Sequence, residues 1–342
     1  MADHSPTHLP NDPAPVRGAP AGGSLGGRVA GLLRDERLRV GLRALALVAL
    51  MALLFGLVDG RETLAALGRA APGPLLLGLV LVQAQIALSG VRWRITAKRL
   101  GVPITLGTAV REYYVASFLN QVLPGGVAGD AIRAVRNRDR DADGSPRWRP
   151  VVRSIVLERA AGQVVFFAVA ASGLALAPVA LARAAPDGTG HLIAIPFAVA
   201  TAIALAVVAA SRIGPKALRE ALADLGPDIA RVFWKRGVWL PQIALSLSIV
   251  ASYVAVFALA GAALGIVLPA LAWIALAPLV LAAMLIPVSI GGWGVREGAA
   301  AALLPLAGVD ASHALAVAIL YGLTSLAGSL PGLVLLGLRR RR

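Results

Sequence analysis

No cysteine occurs among the 342 residues, so disulfides, thiolate metal sites and cysteine nucleophiles are excluded. Charge is also scarce. Only 15% of the residues are charged, against about 25% in soluble domains. The four histidines, His4, His8, His191 and His313, are scattered and offer no metal-ligand spacing. Acidic residues number 18 against 33 lysines and arginines. What the sequence does have is apolar length: 58% of it is hydrophobic and the mean hydropathy is +0.76. These residues come in blocks approaching the ~20 that a helix needs to cross a bilayer. A soluble fold of this size would have to hide every such block from water. The expectation is an all-α polytopic membrane protein.

The net charge of +15 falls in the gaps between apolar blocks, as the positive-inside rule requires of cytoplasmic loops. No motif supports a nucleic-acid partner. Residues 1–39 read as a disordered basic cytoplasmic tail, followed by a transmembrane domain over 40–338 and a basic cytoplasmic end at 339–342. About six full crossings are expected: Val40–Val58, Pro74–Val91, Ser154–Ala180, Leu192–Ala210, Leu240–Leu264 and Ala314–Leu338. Asp59–Arg69 reads as an external loop, and a weakly charged external turn lies near Asp187. Leu218, Leu222, Leu225, Ile229 and Val232 recur at helical spacing, broken by Gly226-Pro227, and suggest a helix on the membrane surface.

Two segments do not fit a simple crossing. Tyr113–Leu123 is too short to span and has basic residues on both flanks, so it is expected to enter the membrane and return. The region 269–307 must begin and end outside, either as a second broken hairpin or as two full crossings. Read in order, half-repeats of about 40–180 and 190–338 run through the same elements from opposite sides. That is the inverted-repeat plan by which many transporters build a midplane site from broken helices.

The breaks carry the polar residues. The first holds Asn120, Pro124, Gly125, Gly126, Gly129, Asp130 and Arg133; the second holds Pro287, Gly291, Gly292, Gly294, Arg296 and Glu297. Glu158-Arg159 lies about one turn into a crossing. A charge at a helix centre costs about 2.5–3.5 kcal/mol on insertion scales, so such groups face a partner or a cavity. Arginine holds phosphate in bidentate geometry, and amides at a helix start favour an anion. These residues therefore either line a polar path for a lipid headgroup or neutralise one another and pin the breaks. The glycines either permit positive φ at a structured break or serve tight helix packing. The calcium-like run Asp139, Asp141, Asp143, Gly144 has Pro150 where a bidentate glutamate is needed and reads as a solvated charge run. No hydrolase or transferase constellation is present, so the protein is not expected to be an enzyme.

Three stretches, Asn120–Arg133 (NxxLPGGxAGDAxR), Ser154–Gly162 (SxxxERxxG) and Pro287–Gly298 (PVSIGGWGVREG), resemble the lysylphosphatidylglycerol synthase transmembrane-region family, also called flippase-like domain proteins. In the multidomain members, a cytosolic aminoacyl-transferase follows a membrane part thought to move the lipid between leaflets. The sequence shows no transferase after the membrane part, so the resemblance implies lipid translocation or a related envelope role, and synthase activity is not expected. The matching positions Asn120, Pro124, Gly126, Asp130, Arg133, Glu158, Arg159, Gly292, Arg296 and Glu297 carry over as site candidates. The expected function is translocation of an anionic phospholipid or glycolipid between leaflets. The alternative is a non-transporting subunit supporting a separately encoded lipid- or glycan-modifying enzyme. No cofactor or metal is expected, and homo-oligomerisation is left open. Composition suggests a bacterial source, hence the inner membrane, with both termini cytoplasmic.

Overall fold

A computed structural model describes residues 36–123, 126–140, 146–181, 225–234, 239–285 and 290–337. The crossing expected at Leu192–Ala210, the turn near Asp187, Leu218 and Leu222 lie outside the described residues, as do most of the tail and Arg339–Arg342. The chain divides into two units, Met1–Leu42 and Arg43–Arg342. Every described element after the first helix belongs to the second unit.

Helix α1 covers Glu36–Leu57, starting four residues inside the expected tail. Asp59–Arg69 is not a loop: Gly60–Gly68 forms helix α2, because the Asp59 carboxylate caps it by accepting from the amides of Arg61 and Glu62 at 3.0 and 3.1 Å. Helix α3 runs over Pro72–Arg99, well past Val91, so Arg92, Arg94 and Lys98 are helical rather than in a loop. Helix α4 (Leu106–Val122) starts seven residues before the expected Tyr113, and α5 (Ala128–Arg136) follows the first break. A two-residue antiparallel pairing, Asp139–Arg140 with Pro146–Arg147, leads into α6 (Arg149–Leu181). A short helix α7 (Leu225–Ile229) continues into a wider turn at Ala230–Trp234. Gly226-Pro227 lies within α7, and the residues before Leu225 lie outside the described ones.

The second half holds α8 (Trp239–Ala263), α9 (Ala270–Ala282), α10 (Val295–Leu303), α11 (Ala311–Ser329) and α12 (Pro331–Gly337). Four of the described helical stretches are long and apolar enough to cross a membrane: Pro72–Arg99, Arg149–Gly173, Trp239–Ala263 and Ala311–Gly337. At 13 and 9 residues, α9 and α10 are each shorter than the ~20 residues of a single crossing.

The two halves interlock. Helix α4 of the first hairpin packs on α12, at the end of the second half, while α9 of the second hairpin packs on α6, at the end of the first. A glycine permits each approach. A Cβ at Gly332 would overlap the Tyr114 carbonyl of α4, and one at Gly173 would overlap the Ile274 carbonyl of α9. In lipid, where water does not drive helices together, such close backbone contact is a main source of packing energy. Between the halves, α3 and α8 form a long seam. The central core collects Phe257, Leu276, Val280, Leu304 and Val317 from α8, α9, the turn after α10, and α11.

Gly173→Leu and Gly332→Leu are each expected to lose about 1–3 kcal/mol through overpacking, measured by thermal unfolding in detergent. Gly107→Ala, with nothing within 4 Å of its new methyl, should not lower stability. Equal behaviour of all three variants would contradict the interlock.

Candidate functional site

The site begins with a helical stripe on α6. Ser154, Glu158 and Gly162 recur at four-residue spacing and so share one face. The Ser154 hydroxyl accepts from the Trp93 indole at 3.0 Å. Glu158, fully buried, accepts from Arg92 Nε at 2.8 Å and is also bonded by Arg92 Nη2. Gly162 lies against the same Arg92 guanidinium, where a methyl would collide. The motif's small and charged positions thus hold two residues of α3.

From Glu158 the charges alternate. Its second oxygen faces Arg133 Nη2 at 3.5 Å; Arg133 Nη2 reaches Asp130 Oδ1 at 3.0 Å; Asp130 Oδ2 is paired with Arg159. At the other end, Arg92 Nη1 donates to Ser246 on α8 at 3.0 Å. Arg133 lies against two aromatic rings, its guanidinium carbon 4.4 Å from the ring centroids of both Trp93 and Tyr113. Its Nε and Nη1 have no hydrogen-bond partner, and the aromatic faces provide their stabilisation instead. Three guanidinium groups meet two carboxylates, leaving one positive charge in excess.

That excess is presented to a cavity of about 440 Å³, lined by residues of both breaks: Asn120 and Gly126 from the first, Gly291 and Gly292 from the second. The breaks touch. Gly291 adopts φ +58°, and a Cβ there would overlap the backbone of Gln121. Arg159, whose side chain is 41% exposed, and Arg92 line the same cavity.

The remaining candidates are placed differently. Pro124, Gly125 and Pro287 lie outside the described residues. Gly129 packs on the Ala116 backbone in the first turn of α5, and its amide donates to Asn120 Oδ1 at 2.8 Å. Gly294 caps α10 at φ +83°, and its amide donates to Glu297. The helix starts expected to receive a ligand anion are therefore served by side chains of the chain itself. Asp130 and Arg133 support the cavity without lining it. Arg296 and Glu297 are fully buried and paired with each other, and the Arg296 guanidinium carbon lies 4.8 and 5.4 Å from the ring centroids of Trp293 and Tyr321. Neither lines the cavity.

Sequence reading alone misses Arg92, Trp93, Tyr113 and Ser246 as members of the site. Arg92 falls in a basic gap of the sequence, and only the phase of α3, which puts it in line with buried Ser89 and Thr96, could signal it. The Glu112–Arg136 pair, at 2.8 and 3.2 Å, is equally hidden; it fastens α4 to α5.

The family model described as "lysylphosphatidylglycerol synthase TM region" matches residues 40–332. The chain belongs to that family. The family is defined on a membrane region, and all three motif stretches fall within the matched span. No curated protein and no solved structure matches the chain.

Removing one member of a buried pair strands the others, at about 3–5 kcal/mol. Glu158→Gln should cost stability on that scale, because Arg92 and Arg133 both lose their counter-charge. Adding Arg92→Gln should recover part of it, with a coupling energy above about 1 kcal/mol in a double-mutant cycle. Strictly additive losses would mean the pair is not coupled.

Proposed function

We propose that this membrane protein of a lipid-related family moves lipid between leaflets. The headgroup of an anionic phospholipid or glycolipid passes through the cavity between the two breaks while its tails stay in the bilayer. The observation that carries this reading is the uncompensated positive charge of the buried lattice, presented at Arg159 to a cavity that both breaks line. A guanidinium suits a phosphate, since its fork matches two phosphate oxygens at once. The polar chamber lies within a membrane domain, where a charged group without a functional or pairing role is costly. The bacterial inner membrane, with both termini cytoplasmic, is the location this reading adopts.

In proteoliposomes, Arg159→Gln is expected to slow translocation of an acyl-labelled phosphatidylglycerol by about tenfold or more. Lys98→Gln, an exposed charge near the end of α3, should leave the rate unchanged. An unaltered rate in Arg159→Gln would count against the cavity as the route. No translocation by the native protein would favour the supporting-subunit reading.

Orientation has its own test in a chain that lacks cysteine. Asp310 is 83% exposed at the start of α11, and Asp310→Cys should react with an impermeant maleimide only from the external side. Labelling from the cytoplasm alone would invert the arrangement.

A further inference from the structure

The family description names a lipid with a cationic, lysyl-bearing headgroup. The cavity is not built for one. Resting on the reading that this cavity receives a headgroup, we infer that it selects a phosphodiester bearing hydroxyls, a polyol or a sugar, and rejects headgroups that carry an ammonium.

The charges come first. Among the described residues lining the cavity, the charged ones are Arg92 and Arg159, and none is Asp or Glu. The nearest carboxylates are already ion-paired, although Asp130 Oδ1 accepts no hydrogen bond. Glu158 holds Arg92 with Oε1 and faces Arg133 with Oε2. Asp130 faces Arg133 with Oδ1 and Arg159 with Oδ2. An ammonium entering here would leave water, meet two guanidinium groups and find no free counter-charge. Burying a charge on those terms is strongly unfavourable.

Aromatic faces are the usual alternative for a cation. Among the described residues, four aromatic rings line the cavity: Tyr113, Phe166, Tyr253 and Tyr321. Tyr113 already faces Arg133 and Tyr321 already faces Arg296, so two of the four are occupied by the protein's own cations.

The other polar lining is neutral. Gln85, Ser117, Asn120, Gln121, Gln163 and Tyr253 bring amides and hydroxyls, which both donate and accept. Gln121 Oε1 is buried and has no hydrogen-bond partner. An acceptor left that way calls for a donor from the ligand, and in a cavity whose charged lining is two arginines a neutral O–H serves without repulsion. The phosphate then sits at Arg159 and the hydroxyls reach the amide wall. A volume of about 440 Å³ accommodates such a group, small-molecule sites being about 300–1,000 Å³.

The test uses the full chain in detergent and native mass spectrometry. Equimolar dioleoyl phosphatidylglycerol, phosphatidylinositol, phosphatidylethanolamine and lysylphosphatidylglycerol compete for binding. The first two should be retained about tenfold or more over the last two. Gln163→Glu, which places a carboxylate in the wall, should pull that ratio towards unity. Gln85→Glu provides a second carboxylate, and it keeps the acceptor that the Ser252 hydroxyl uses at 3.3 Å. Retention of lysylphosphatidylglycerol equal to or above phosphatidylglycerol overturns the inference, and so does an unchanged ratio in both variants. Selective retention without translocation would sink the transport reading and leave the selectivity standing. Translocation with no headgroup preference would do the reverse.

Discussion

The arginine–carboxylate lattice is the constraint around which this membrane domain is arranged. Ser246, Arg92, Glu158, Arg133, Asp130 and Arg159 follow one another as donor and acceptor, across α8, α3, α6 and α5. Each charge by itself would be prohibitive at this burial. The set is tolerated because neighbours alternate in sign and the aromatic rings of Trp93 and Tyr113 shield the central guanidinium. The chain of charges begins and ends on an arginine, Arg92 and Arg159, and both line the cavity.

The lattice also fixes helix positions that apolar packing would leave loose. Side chains of Leu, Val and Ala are as content in lipid as against each other, so they define a helix's depth poorly. Ion pairs and close glycine contacts define it well. Gly162 sets how near α6 comes to Arg92, and Gly173 and Gly332 set how near each hairpin comes to the opposite half. Tyr114, Gln83 and the Gly328 carbonyl add a hydrogen-bonded tie across α4, α3 and α11, at 2.6 and 3.0 Å.

The two breaks share a plan but not a role. Each carries an arginine set against a tryptophan and a tyrosine and paired to a carboxylate. In the second break the pair is self-contained: Arg296 and Glu297 balance, and Glu297 also closes the amide at the start of α10. The second break contributes backbone shape to the cavity through Gly291 and Gly292, and the first half contributes charge. This asymmetry concentrates the cavity's charge at Arg92 and Arg159.

Membrane residence, the helical class and both breaks were legible in the sequence, because they follow from local properties. Apolar length, the grouping of Lys and Arg, and Pro-Gly clusters each act over a few residues. The stripe Ser154, Glu158, Gly162 was likewise visible as a motif. Its meaning was not, since Glu158 finds Arg92 66 positions away and Arg92 finds Ser246 154 positions away. Only the folded packing decided that Arg92 belongs to the site, that Arg296 and Glu297 stand apart from the cavity, and that the halves exchange their hairpins. Charge and hydropathy along a chain report what a segment needs; which distant segment supplies it is settled by where the helices meet.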